Sequence, residues 1–186
     1  MKERMKQRLL SLLLAVGMIC SLTAGMPVTA FGADQDIVVL YTNDVHCGVD
    51  DNIGYAGLSL YKKQMQQQTP YVTLVDAGDA IQGAPIGTLS EGGYLIDIMN
   101  QVGYDVAVPG NHEFDYGMAR FLDLAGKLNC GYYSCNFIST ATGAAVFAPY
   151  KMITYGDTRV AYVGVSTPES FTKSLSLIHI SEPTRH

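Results

Sequence analysis

Three observations predict an α/β fold with helical crossovers. A continuous apolar run at residues 37–41 reads as a strand buried on both faces of a parallel sheet, and residues 71–75 and 105–108 read as two further strands. Stretches with amphipathic helical spacing separate them. Each strand is also followed by a block of potential ligands. These blocks are Asn43-Asp44-Val45-His46, Asp76-Ala77-Gly78-Asp79 and Gly110-Asn111-His112-Glu113-Phe114-Asp115. Open α/β sheets build sites at this position, because the loops at the carboxyl ends of neighbouring strands converge.

The elements follow in order. After the first strand, a Gly-, Asp- and Asn-rich loop covers 48–54. Residues 56–67 then carry Leu58, Leu60, Tyr61 and Met65 among polar side chains, a helix that Pro70 terminates. The second strand, 71–75, leads into a glycine-bearing loop over 78–87. A helix is expected over 91–102, with Leu95, Ile96, Ile98 and Met99 apolar and Gly103 as its C-cap. The third strand is 105–108, and a helix over 116–128 carries Phe121, Leu122 and Leu124. A fourth strand is expected at 131–136. Residues 145–155 and 158–165 alternate like a hairpin turning at Gly156-Asp157, the start of a second sheet.

Both ends read as something other than the fold. Lys2, Arg4, Lys6 and Arg8 precede an apolar run over 9–22, and Val28-Thr29-Ala30 offers small residues for cleavage, with Ala33 as a second choice. Residues 1–33 are therefore expected to be an export signal. The run is too short, and too interrupted by Gly17 and Ser21, for a membrane-spanning helix. Cys20 lacks the small preceding residue of a lipoprotein signal and belongs to the apolar region. Residues 175–185 match the in-frame translation of a transposase-based sequencing-library adapter. The expectation is that 175–186 is not native and that 34–174 is the N-terminal part of a longer catalytic domain.

Residues 34–174 hold seven basic and fifteen acidic side chains, a formal charge of −8 against −5 for the whole chain. Such a balance argues against a nucleic-acid polymer as partner. An acidic exported protein that binds an anionic ligand needs local positive charge, which bound metal ions supply. The three cysteines in this region, Cys47, Cys130 and Cys135, leave at least one thiol unpaired, although Cys130 and Cys135 could bridge. No Cys-x-x-Cys pair suggests structural zinc. There is no Gly-x-x-x-x-Gly-Lys phosphate loop and no Gly-x-Ser-x-Gly nucleophile elbow.

Asp, His and Asn form a mixed donor set suited to borderline divalent metals. Asp44 and His46 lie two apart at a strand end, where extended backbone would send both side chains to one side. Each also has an ordinary reading, Asp44 as a turn or cap residue and His46 as a loop histidine. Asn111 suits a helix N-cap. If its segment is helical, Asp115 lies on the same side as His112 and could hold that ring; it equally suits the N-cap of the helix starting at Tyr116.

Taken together, the three blocks resemble those of the calcineurin-like metallophosphoesterases, and within them the secreted 5′-nucleotidase and 2′,3′-cyclic phosphodiesterase branch. The resemblance runs from about Ile37 to about Pro168. It implies two packed β-sheets flanked by helices, and an exported hydrolase acting on nucleotide phosphate esters through two divalent ions (Mn, Zn, Fe, Co or Mg). It implies Asp44, His46, Asp79 and Asn111 as metal ligands, with Asp79 bridging the two ions. His112 and Asp115 become the pair that stabilises the transition state or protonates the leaving oxygen. Gly78-Asp79 matches the family's Gly-Asp pair, which leaves Asp76 to hydrogen bonding around the loop. Glu113 is expected to cap or to face solvent. The later histidine ligands of such a site do not occur before Ser174, so the segment alone is expected to be inactive. A surface metal- or nucleotide-binding protein and the same fold with another ester substrate are the alternatives.

Two measurements check the readings of the ends. Exported protein should begin just after Ala30 or Ala33 on N-terminal sequencing, and material still starting at Met1 contradicts the signal. Long-read sequencing of the source DNA should diverge from this chain close to Ser174. Contiguous genomic sequence that continues through 175–185 contradicts the adapter.

Overall fold

The computed structural model describes residues 35–139, 141–168 and 170. The export signal expected at 1–33, Cys20 within it, and the tail expected at 175–186 lie outside the described residues. Among the described residues, no helix is long and apolar enough to cross a membrane.

Three parallel strands form the first sheet in the order β1 (Val38–Thr42), β2 (Val72–Asp76), β3 (Val106–Ala107). Parallel neighbours need a crossover, and each is helical. Helix α1 (Gly54–Gln68) joins β1 to β2, while α2 (Pro85–Ser90) and α3 (Gly93–Val102) join β2 to β3. A single 3₁₀ turn (His112–Phe114) and α4 (Met118–Lys127) follow β3. The α/β class read from the sequence is what forms, with strand ends shifted by a residue or so, but β1 is not buried on both faces as expected: it lies at the edge of the three described strands, and Val39 and Tyr41 are exposed.

The loop expected over 78–87 gives way to a helix at Pro85, a residue suited to the first helical turn because its missing N–H is not needed there. The helix expected from residue 91 starts two residues later. Glu91 and Gly92 both take left-handed backbone (φ 47° and 80°) and form the bend between α2 and α3. Gly103 ends α3 in the left-handed conformation expected of it, at φ 80° and ψ 57°.

Helix α1 buries Tyr55, Leu58 and Lys62, whereas Leu60 and Tyr61 stay exposed. A buried lysine needs a partner. Lys62 Nζ donates to Asp105 Oδ2 at 2.9 Å and also to the Gly103 carbonyl, tying α1 to the turn before β3.

The expected fourth strand at 131–136 does not form a ladder. Its amides go in turn to three different neighbours: Tyr133 N–H to Ala107 O (2.9 Å), Ser134 N–H to Ala148 O (2.9 Å) and Cys135 N–H to Gly164 O (2.8 Å). Consecutive residues thus connect the first sheet to the segments around the hairpin, and isolated bridges result where a strand was expected. The hairpin itself, β4 (Tyr150–Tyr155) and β5 (Thr158–Val163), turns at Gly156 as expected. It begins later than residue 145 because Ala145 and Ala148 bridge Ile138 and Tyr133. The Tyr155 hydroxyl bonds to Thr73 of β2, and Lys151 Nζ donates to the Asp105 carbonyl at 2.8 Å, so the hairpin packs against the parallel sheet.

The core lies between the parallel sheet and α3 and α4. Leu74, Ile81, Leu95, Met99, Phe121 and Leu124 are fully buried there. Phe121 meets Phe114 edge-on at 5.0 Å and Tyr132 at 5.0 Å, and Phe114 stacks on Phe137 at 5.4 Å. Cys47, Cys130 and Cys135 are all free thiols, so the possible Cys130–Cys135 bridge is not formed. Burial pushes the Cys130 thiol up to about 11.

Phe121→Ala should lower stability by about 3–5 kcal/mol. Its exposed neighbour Leu122, changed to Ala, should alter it by less than about 0.5 kcal/mol. Chemical denaturation of both variants checks the assignment, and equal effects would contradict it.

Candidate metal and catalytic site

Thr42, Asp76 and Ala107 stand side by side in the sheet register, so the three parallel strands end level. The loops that follow stay in contact. Asp44 N–H donates to Gly78 O at 3.1 Å, His46 N–H to Asp79 O at 2.9 Å, and Cys47 N–H to Ala80 O at 3.0 Å. The pairing of β1 with β2 therefore continues as hydrogen bonds between their two loops.

The backbone that makes these bonds is not extended. Asp44, His46, Cys47 and Asp79 have φ of 53°, 46°, 62° and 58°, in the left-handed region. The alternation argument for Asp44 and His46 is thus corrected: β1 ends at Thr42, and left-handed turns set the direction of both side chains. Asp and His are among the residues that tolerate this region best. Glycine is required where the loops touch. A Cβ on Gly83 would lie 2.2 Å from the His46 carbonyl oxygen, and one on Gly78 would lie 2.6 Å from the Gly110 nitrogen.

Ligand atoms of His46, Asp79 and His112 all lie within 4.8 Å of one another. The two imidazoles are edge-to-face, with centroids 4.9 Å apart. His46 Nδ1 lies 3.0 Å from the Gln82 carbonyl oxygen, which can only accept. Nδ1 therefore carries the proton, and Nε2 carries the lone pair on the side of Asp44, whose Oδ1 is 4.0 Å away. Two imidazoles and a carboxylate, one ring already set in its tautomer, fit a divalent transition ion.

On the third loop the 3₁₀ turn aligns the residues. Positions i and i+3 eclipse in such a turn, so Asp115 returns beneath His112. Asp115 Oδ2 lies 2.8 Å from His112 Nδ1. Between them Glu113 and Phe114 point inward, Phe114 onto the aromatic core. His112 N–H donates to Asp79 Oδ1 at 2.6 Å, which links the turn to the second loop.

The structure therefore brings His46, Asp79 and His112 together, with Asp115 behind His112. Asp44 stands at the exposed rim next to the Asn43 side chain, outside that trio. Asn111 takes the N-cap position of the turn, at φ −83° and ψ −22°, but without a capping bond from its side chain. Gly117, not Asp115, is the N-cap of α4. The sequence reading kept His112 out of the metal-ligand set, yet its ring shares the donor cluster.

Two buried carboxylates lie behind this surface. Asp76 Oδ1 accepts from the Thr42 hydroxyl at 2.9 Å, and burial pushes its carboxyl up to about 7. Of the roles expected for Glu113, the structural, capping one forms and exposure to solvent does not: it is fully buried and accepts from the amides of Asp79, Ala80 and Gly110. Burial, followed by the nearby Asp76 charge, pushes its carboxyl up to about 8, and the amide bonds act in the opposite direction. The available signal was the Gly110-to-Glu113 spacing, over which an acidic side chain reaches back to an amide three residues earlier.

Known proteins resemble this chain in sequence and in fold. The calcineurin-like phosphoesterase family profile matches residues 37–177. The chain is 32% identical to a 5′-nucleotidase of Bos taurus over 154 residues, which is 73% of this chain and 27% of that protein. It is also 32% identical to a 2′,3′-cyclic-nucleotide 2′-phosphodiesterase/3′-nucleotidase of Yersinia enterocolitica, over 84% of this chain and 28% of the relative. Among solved structures, a 5′-nucleotidase precursor of Thermus thermophilus superposes with a TM-score of 0.69 at 22% identity, covering 78% of this chain and 32% of that one. The calcineurin-like phosphoesterase YfkN of Bacillus subtilis gives 0.66 at 26% identity, covering 78% and 54%. The chain spans less than a third of the length of the bovine and Yersinia relatives. It belongs to the calcineurin-like phosphoesterase family.

Proposed function

We propose that this member of the calcineurin-like phosphoesterase family contributes part of a two-metal site that hydrolyses phosphate esters of nucleotides in an exported protein. The observation that carries the reading is the convergence of His46, Asp79 and His112 within 4.8 Å at the ends of three parallel strands. The similarity to the bovine 5′-nucleotidase and the Yersinia cyclic-nucleotide phosphodiesterase/3′-nucleotidase supports nucleotide monoesters or cyclic nucleotides as the substrate class. The basic and apolar start of the chain supports export.

In this reading Asp44, His46, Asp79 and Asn111 would hold the divalent ions. Bound divalent ions supply Lewis-acid stabilisation of the phosphoryl oxygens and lower the pKa of water. The chain's own contribution is orientation and charge. Hydrogen bonding to Gln82 holds the His46 ring with Nε2 toward Asp44. Asp115 holds His112 with Nδ1 bonded, so that Nε2 is presented to the substrate oxygen that gains negative charge.

The test uses the full-length protein carrying this segment, with metal content by elemental analysis beside steady-state kinetics on a nucleoside 5′-monophosphate. Asp44→Ala and Asp79→Ala should lower both bound metal and activity. His112→Ala should keep most of the metal while kcat falls on the order of 10²–10⁴-fold. Asp115→Asn should cost less, because it loosens the imidazole without removing it. Loss of the metals in His112→Ala, or an unchanged kcat, means that the roles assigned here are wrong.

A further inference from the structure

Glu113 stands between the two loops that carry Asp79 and His112. Its Oε2 accepts the amide of Gly110 at 2.6 Å and that of Asp79 at 2.8 Å, and its Oε1 accepts the amide of Ala80 at 2.9 Å. Asp79 and Ala80 lie on the loop after β2, whereas Gly110 opens the loop after β3. One carboxylate therefore joins the two loops from beneath. The Asp79 carboxylate joins them again from above, accepting the His112 amide at 2.6 Å. The two bridges enclose the short backbone path between the proposed ligand Asp79 and the His112 ring.

Glu113 is fully buried, and no cation pairs with it in these contacts. A carboxylate in that setting carries a large desolvation cost, which charge-assisted amide bonds offset. An apolar side chain would fill the same volume at lower cost, and the adjacent Phe114 already fills the core by stacking on Phe137. What a carboxyl group offers is an acceptor on each of its two oxygens. Three converging amides require that. A glutamine of the same shape would turn an N–H₂ group toward at least one of them.

We infer that Glu113 is a positioning residue of the proposed metal site, and that its buried carboxylate sets the distance from the Asp79 carboxylate to the His112 ring. The inference rests on the roles proposed above for Asp79 and His112. Glu113 touches neither substrate nor metal; it acts through the backbone of the residues that do. Loss of the clamp lets the two loops separate, which weakens metal binding and misplaces His112 relative to any bound ester.

The experiment compares Glu113→Gln, Glu113→Asp and Asp79→Ala in the full-length protein. The readouts are Mn²⁺ affinity by calorimetric titration, amide hydrogen exchange of the metal-free protein, and kcat and KM at saturating Mn²⁺. Glu113→Gln should lose exchange protection at Asp79, Ala80 and Gly110 and bind Mn²⁺ about 10–100-fold more weakly. At saturating Mn²⁺ its kcat should fall while KM stays nearly constant. Glu113→Asp, which keeps two acceptor oxygens, should recover part of the affinity. Wild-type Mn²⁺ affinity in Glu113→Gln, with Asp79→Ala weakened, overturns this inference alone. Wild-type affinity in both variants overturns the site reading beneath it. If neither Glu113 variant folds, the residue belongs to the core and the inference is also overturned.

Discussion

Three parallel strands that stop at the same level are the constraint on which the rest of the segment depends. Because Thr42, Asp76 and Ala107 are in register, the next residues of all three strands leave the sheet together and must find hydrogen bonds elsewhere. They find them in one another: Asp44 with Gly78, His46 with Asp79, Cys47 with Ala80. Helices α1 and α3 bury their apolar faces behind the sheet and hold that register, since a one-residue slip would turn Leu74 out of the core. The ligand-bearing loops are thus an extension of the sheet by other means.

That extension stores strain. Left-handed backbone at a residue with a Cβ costs about 1–2 kcal/mol, and four such residues cluster at Asp44, His46, Cys47 and Asp79. Conformations of this kind persist only where the surroundings over-determine them. Here the surroundings are the interloop amide bonds, the glycines that permit contact at residues 78 and 83, and the inward-facing Phe114 that pins the third loop to the core. A site held this way is organised before any ligand arrives, which is the condition for fixed dipoles and charges to stabilise a transition state.

Much of this was legible in the sequence, and what was not has identifiable causes. The apolar run at 37–41 and the strand-forming stretches at 71–75 and 105–108 disclosed β1 to β3, but not how far each is buried: β2 and β3 lie in the core, whereas Val39 and Tyr41 of β1 are exposed. Gly103 disclosed the end of α3 through the left-handed cap that only glycine makes without cost. The ligand blocks after each strand disclosed where a site would be, although not how its backbone runs; periodicity says nothing about left-handed turns at Asp44 and His46. The segment around Tyr133 was misread as a strand because its composition suits one, whereas its amides go to three separate partners. The capping role of Glu113 was legible from its distance to Gly110, but its burial was not, because the amides of Asp79 and Ala80 that explain it are distant in sequence.

Interlocked loops also restrict how this site can change. Cys47, Gly83, Asp79 and Gly110 each occupy space defined by a residue from a different loop, so none of the three blocks is an independent part. Transplanting the Gly110–Asp115 block alone onto another parallel sheet would bring Glu113 without the amides it requires. The block would also arrive without the glycine that makes room for it. Variation in such a segment is expected to be concerted: the three loops are inherited, grafted or lost as one unit, and diversity collects on the outward rim around Asn43 and Asp44, where side chains reach solvent instead of a neighbouring loop.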